Sequence, residues 1–225
     1  MKTLHSIAKR AVLRGTRAGF SMQKVSSLKA AERSLAEVIG SEYSEHLEEL
    51  REREPIAKMP NWLCESNLKS TKVVLYSKEQ NTRVIVVFNA KTAQPMGVRE
   101  ELMLESGSNL EPGVEFLLIV DPLKTQSVVF TGRTSGGDMA LESTGFILSK
   151  NIQRLINQPS LVHRRSICCS SPLQTISDAT MKHFENYLSN LGVDHRLATF
   201  IEEKSQLHEL NLYQNWLKNL YIALD

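Results

Sequence analysis

Residues 177–224 read SDATMKHFENYLSNLGVDHRLATFIEEKSQLHELNLYQNWLKNLYIAL, and their spacing sets the plan of the chain. Met181, Phe184, Tyr187, Leu188 and Leu191 recur at helical intervals, which predicts a helix from Ser177 to Asn190. Ser177 or Asp178 offers a short side-chain oxygen to the first free amides of that helix. Gly192 follows it and takes a left-handed conformation without steric cost. Asp194 is then placed to cap a second helix. Its apolar stripe runs through Leu197, Phe200, Ile201, Leu207, Leu210, Tyr213, Trp216, Leu217, Leu220 and Leu224. A stripe that wide faces its own sheet and a further surface.

Working outward, Ser26 to Glu54 reads as a long helix with Leu28, Ala31, Leu35, Val38, Ile39, Leu47 and Leu50 on one face. Charges of both signs fill the other face, which reads as solvated. Gly40 in its middle costs ~1 kcal/mol relative to Ala and marks a bend, and Pro55 ends the helix. From Trp62 to about Cys169 the period changes to two. KVVLYS, TRVIVVFNA, VEFLLIVDP, SVVFTGR, GFILSKN and RRSICCSS are short β-branched runs split by polar turns, the pattern of an antiparallel meander. Lys78 to Asn81 reads as a hairpin turn. Two long connections interrupt the strands. One, Lys91 to Gly113, carries Glu100, Glu101, Glu105 and Glu111; the other, Gly132 to Gly145, carries Gly136 and Gly137. The second reads as a flexible loop, because it lacks the G-x-x-x-x-G-K-[ST] order of a phosphate loop. Helix, antiparallel strands, helix, helix is an α+β order with the helices on one face of the sheet.

Residues 1–27 stand apart. They hold six basic residues (Lys2, Lys9, Arg10, Arg14, Arg17 and Lys24) and no Asp or Glu, with Leu4, Ile7, Ala8, Ala11 and Val12 available for one helical face. That is the composition of a mitochondrial transit peptide; a basic arm that stays attached is the alternative. The whole chain has 27 basic and 25 acidic residues. Without those six the balance is 21 against 25, a net of −4 for residues 28–225. This argues against a protein that grips nucleic acid mainly through its own positive surface. Three cysteines, Cys64, Cys168 and Cys169, form neither a disulfide framework nor a zinc spacing. No apolar run of ~18 residues is present to span a bilayer.

The order HFENYLSNLGVDHRLATFIEEKSQLHELNLYQNWLKNLYIAL resembles the C-terminal signature of the mitochondrial acidic matrix protein family. That family is also called the mitochondrial glycoprotein, or complement component Q-subcomponent-binding protein, family. The resemblance is carried by Tyr187-Leu188, by Leu191-Gly192-Val193, and by Tyr213-x-x-Trp216-Leu217. LKAAERSLAEVIGSEYSEHLEELREREPIAKMPNW (residues 28–62) with KVVLYSKEQNTRVIVVFNA (72–90) resembles the family's start. The resemblance implies an N-terminal helix, about seven antiparallel strands and two C-terminal helices on one face, in a single domain over 28–225. It implies a trimer built through the helices. It also implies a non-catalytic matrix scaffold that binds basic RNA-binding or ribosomal proteins and supports mitochondrial RNA processing, ribosome assembly or translation. Members are often much more acidic than a net of −4, so a specialised subunit assembling with related chains is a variant of this reading.

No cofactor, metal or catalytic site is expected. His163, His183, His195 and His208 fall in unrelated contexts, and His183 and His208 read as surface residues of their helices. Ser170-Ser171 lacks nucleophile-elbow glycines. What remains is surface. Leu207, Leu210, Tyr213, Trp216, Leu217 and Leu220 are the candidate oligomer interface, with core packing as the plain alternative for Tyr213 and Trp216. Glu100, Glu101, Glu105 and Glu111 are the candidate acidic patch for basic partners. A second reading is direct RNA binding along a sheet edge by Lys150, Arg154, Arg164 and Arg165, although no RNP-type aromatic pattern accompanies them. A small-molecule enzyme, the third reading, would require a deep pocket of convergent titratable groups.

Overall fold

The chain begins its described part as a helix, α1 (Met22–Glu52), and continues into seven strands. These are β1 (Trp62–Ser66), β2 (Lys72–Glu79), β3 (Thr82–Asn89), β4 (Val114–Asp121), β5 (Gln126–Ser135), β6 (Asp138–Leu148) and β7 (Cys169–Pro172). A short helix, α2 (Ile152–Ile156), separates β6 from β7, and α3 (Asp178–Asn190) and α4 (His195–Leu224) close the chain. The computed structural model describes residues 22–79, 81–90, 113–158, 164 and 167–224, apart from the side chains of 22–28, 78, 79, 169, 170 and 174. The first 21 residues of the basic N-terminal segment lie outside that range, as does the glutamate-bearing connection 91–112.

The strands pair in chain order, β1 to β7, and every neighbouring pair is antiparallel. The period-two pattern explains why. The runs Val73–Tyr76, Val84–Phe88 and Phe116–Val120 are apolar at every position, so both faces of the sheet centre must be covered. On one face Val73, Leu75, Val86, Phe88, Phe116, Leu118 and Phe130 pack with Leu188, Leu191, Val193, Leu197 and Ile201 of α3, α4 and their turn. On the other face Val74, Ile85, Val87, Leu117, Ile119 and Val129 pack with Ile152, Leu155 and Ile156 of α2. The two C-terminal helices thus share one face, as expected. The sequence reading missed α2, which covers the opposite one.

Helix ends follow the local sequence. Ser177 Oγ accepts from the Thr180 amide at 3.4 Å, so Ser177 caps α3. Asp194 Oδ1 accepts from the Arg196 and Leu197 amides at 3.0 and 3.2 Å and caps α4. Gly192 sits between them at φ +77°. The β2–β3 hairpin is tighter than the sequence suggests, since the strands leave only residues 80 and 81 for the turn.

The connection read as a flexible loop over 132–145 is instead a hairpin. β5 runs on to Ser135, β6 starts at Asp138, and Gly136 and Gly137 turn the chain at φ +61° and +82°. Two consecutive positive φ angles suit the twist of a two-residue hairpin, and glycine reaches them without strain. Glu202 of α4 accepts from the Gly137 amide at 3.1 and 3.4 Å and holds the tip.

The chain falls into two compact units. One contains the described residues 22–45 and 217–224. In it Ile39 and Leu217 are buried, whereas Leu35, Val38, Tyr221 and Ile222 are exposed. The Tyr221 ring lies so close to Gly40 that an added Cβ would be 3.2 Å from Cε2. Gly40 therefore admits a neighbouring ring, and α1 passes through it as one continuous helix. The other unit, His46–Trp216, holds the whole sheet. There the His46 ring meets Tyr213 edge-on at 4.9 Å, and Arg53 Nη2 donates to Gln206 Oε1 at 3.3 Å.

Candidate interaction surfaces

The candidate oligomer residues all lie on α4 and differ in exposure. Leu217 is fully buried. Leu207, Leu210, Tyr213 and Leu220 are half-buried. Trp216 is 54% exposed and stacks on Tyr213 with ring centroids 5.7 Å apart and planes 19° apart. Trp216 is thus the open ring of an aromatic pair whose other ring, Tyr213, is half-buried. The candidate acidic residues Glu100, Glu101, Glu105 and Glu111 lie outside the described residues.

Two polar expectations are overturned by burial. His208, read as a surface residue, is 2% exposed, and its Nε2 lies 2.8 Å from the Ser70 carbonyl oxygen. A partner 138 residues away satisfies the ring, and no local pattern announces that pairing. Arg164, read as part of an exposed basic edge, is fully buried. Its Nη2 donates to the Gln158 carbonyl at 2.9 Å, and burial lowers its pKa from the ordinary value. Nearby, Lys72 Nζ donates to the Ile156 carbonyl at 3.3 Å. Both cations thus serve free carbonyls at and just beyond the C-terminal end of α2, where positive charge is favoured. Lys150 and Arg154 remain exposed, and Arg165 lies outside the described residues.

A polar cluster that the sequence reading did not find sits at the β4–β5 turn. Asp121 is buried; its Oδ1 accepts from Ser127 Oγ at 2.9 Å, Ser149 Oγ at 3.2 Å and the Leu123 amide at 3.2 Å. Arg83 Nη2 reaches Oδ2 at 2.8 Å. Burial alone would raise the Asp121 pKa. The hydrogen bonds from Ser127, Arg83 and Ser149, with the Arg83 charge, outweigh it and hold the carboxyl below its usual range. Both Asp121 oxygens are satisfied from within the fold, so the cluster reads as a clamp on the turn. Burial pushes the Cys64 thiol up, which disfavours the reactive thiolate. Among the described residues, no three His, Cys, Asp or Glu side chains converge as a metal site, and no helix is long and apolar enough to cross a membrane. An open groove of ≈ 840 Å³ beside Gly40 is lined by Lys29, Glu32, Arg33, Glu37 and Tyr43, with balanced charge.

β7 covers only part of the outer rim of β6 with paired strand. β7 pairs only with Ser143 to Phe146, and its last residue in the ladder is Pro172, which has no amide to donate. The five residues Asp138 to Glu142 extend beyond it. The two-residue turn makes Ser135 and Asp138 a hydrogen-bonded pair, and Arg133 and Ala140 the next. Met139 and Leu141 therefore aim their backbone groups away from β5. Their side chains pack on the helix-bearing face, while Asp138, Ala140 and Glu142 are exposed. Glu115 bonds Arg133 at 3.0 Å, and Glu142 lies 3.9 Å from the same guanidinium.

Comparison with known proteins bears on the whole fold. A sequence profile of the Mitochondrial glycoprotein family, MAM33, matches residues 118–221. Among solved structures, the Trypanosoma brucei p22 protein is similar with a TM-score of 0.66 at 18% identity, covering 87% of this chain and 100% of that one. A hypothetical protein from Leishmania major, of unknown function and described as a sequence homologue of the human p32 protein, is similar with a TM-score of 0.68 at 13% identity. The match covers 87% of this chain and 99% of that one. At these identities the two structures speak to fold alone. A comparison with curated proteins gave no match. The family suggests a mitochondrial protein. From β4 to the last turns of α4 the chain matches the mitochondrial glycoprotein family, and its α–β7–α–α fold is that of the p22 and p32-like proteins.

Proposed function

We propose that this chain is a non-catalytic scaffold of the mitochondrial matrix that assembles as a trimer and captures basic segments of RNA-associated proteins. The observation that carries the reading is the family match over residues 118–221. In this reading residues 1–27 are a transit peptide removed on import, and 28–225 act as one domain with a net charge of −4. Attraction between that domain and a basic segment speeds encounter. Three copies in one ring raise avidity without new contacts. The half-open Tyr213–Trp216 stack supports α4 as the surface that joins copies, since aromatic residues are enriched in such interfaces. The burial of Arg164 favours protein over RNA as the partner, because it removes one of the cations that an RNA-binding edge would need.

The test is the solution mass of residues 28–225 by light scattering at low and high salt, followed by titration with a lysine-rich peptide and with a single-stranded RNA. A salt-resistant mass of three chains and salt-sensitive peptide binding are expected. Trp216→Ala is expected to lower the mass while leaving the melting temperature nearly unchanged, because an open indole contributes little to the fold of one copy. A monomer at all salts overturns the ring. Tight RNA binding with a steep salt slope, and none to the peptide, overturns the adaptor reading.

A further inference from the structure

We propose that Leu123, on the β4–β5 turn, is a knob that seats in the groove beside Gly40 of a second copy of this chain. The proposal rests on the ring reading above and names the two surfaces that meet. Leu123 is strained and exposed at once. Among the described residues it is the one non-glycine residue at positive φ, +56°, where a Cβ crowds the following carbonyl. Burial of the side chain would offset that strain, yet Leu123 is 54% exposed. The fold holds it there all the same. Asp121 Oδ1 accepts from the Leu123 amide, and Arg83, Ser127 and Ser149 fix the carboxylate. Strain that the surrounding structure keeps in place marks a functional position. A side chain on so rigid a turn also loses little freedom on docking. Leu148 and Phe146 lie at the same end of the sheet, 42% and 60% exposed. Leu148 pairs with Gln126, the first residue of β5, and Phe146 pairs with Val128. They add open apolar area, part of it aromatic, at the end from which the knob projects.

The groove supplies the complementary shape. Ala36 and Gly40, one helical turn apart on α1, carry no long side chain, and Tyr43, Tyr221 and Leu224 line the groove with apolar surface. Tyr221 and Leu224 belong to α4, the helix already assigned to joining copies. The charged lining is balanced in sign, so an apolar knob meets no net field there. Knob and socket lie on different elements, so each copy gives one contact and receives another. A heterologous contact of this kind closes into a ring when its rotation fits, whereas a self-complementary patch stops at two copies. A ring therefore selects a second copy, rather than an unrelated protein, as the occupant. An apolar seat is also indifferent to salt, as the ring reading expects.

The test uses residues 28–225 with two substitutions in separate chains. Leu123→Asn removes the apolar knob and keeps a residue that tolerates positive φ. Ala36→Trp fills the groove from its own lining. Circular dichroism equal to the parent's shows that each variant is folded, and Ala36→Arg takes the place of an Ala36→Trp chain that is not. Mass is read by light scattering over a range of concentrations. Each variant alone is expected to associate at least tenfold more weakly than a trimeric parent. An equal mixture is expected to recover a species of two chains. The intact knob of the Ala36→Trp chain still meets the intact groove of the Leu123→Asn chain, and only a contact between two different surfaces gives that recovery. A trimeric parent with either variant still trimeric overturns the knob and socket while leaving the ring reading standing. So do two dissociated variants that form no pair on mixing. A parent that is not a trimer overturns both.

Discussion

Arg83 and Asp121 are cross-strand partners on β3 and β4, and their side chains meet at 2.8 Å over the rim of the sheet. Arg83 is half-exposed and Asp121 is not, so the pair ties an open side chain to a buried anion. Asp121→Ala removes the acceptor shared by Ser127, Ser149, Arg83 and the Leu123 amide. The expected loss is about 2–3 kcal/mol, the range for breaking a buried charged network. Urea unfolding checks it, and a loss under ~0.5 kcal/mol would show that the clamp is dispensable.

The same carboxyl makes stability depend on acid. Its pKa in the fold lies below the ordinary value of about 4. A group of that kind stabilises the fold above its unfolded pKa and loses that contribution as pH falls toward the folded value. Asp121→Asn cannot titrate. Between about pH 5 and pH 3 the parent should lose stability more steeply than the variant. Parallel slopes in that window would assign the acid sensitivity to other carboxylates.

Two glycines of the β5–β6 hairpin should respond differently to alanine. At Gly132 a Cβ would collide with the Ala140 carbonyl oxygen and lie 2.7 Å from Phe116 Cζ, so backbone or core must shift. At Gly137 the nearest atom is Thr199 Oγ1 at 3.1 Å, and the cost is mainly that of φ +82°. Gly137→Ala is expected to cost about 1–2 kcal/mol, and Gly132→Ala more. Thermal melts of the two variants give the order, and a reversed order refutes the steric assignment.

Thr134 is fully buried, and its hydroxyl has no partner. Replacing an orphaned hydroxyl with an isosteric methyl relieves a desolvation cost. Thr134→Val is therefore expected to be neutral to about 1 kcal/mol more stable, as read by the denaturation midpoint. A clear loss of stability would mean that the hydroxyl is bonded.

Where local pattern and tertiary need agreed, the sequence was legible. The α3 and α4 caps, the Gly192 turn, the order of elements and the antiparallel pairing all follow from short-range chemistry. The β5–β6 hairpin did not, because Gly136-Gly137 carries the same letters in a tight turn as in a loose loop. α2 has five residues, too few for a periodic signal. His208 and Arg164 looked like surface residues because the groups that bury and bond them come from elsewhere in the chain. Exposure along α4 followed the same rule. Trp216 and Leu217 are adjacent in one apolar stripe, yet one is open and the other sealed.

Strand order equal to chain order also governs how the molecule comes together. Each strand finds its partner in the segment just made, so loop-closure cost is small at every step except across residues 90–113 and 149–168. The sheet can zip from either end. Much of its broad apolar face, however, is covered by residues after Pro172, and that cover arrives last during synthesis. Until α3 and α4 dock, a nearly complete sheet stands with Leu75, Val86, Leu118 and Phe130 bare to solvent. The interval between pairing and docking is therefore the period of greatest aggregation risk.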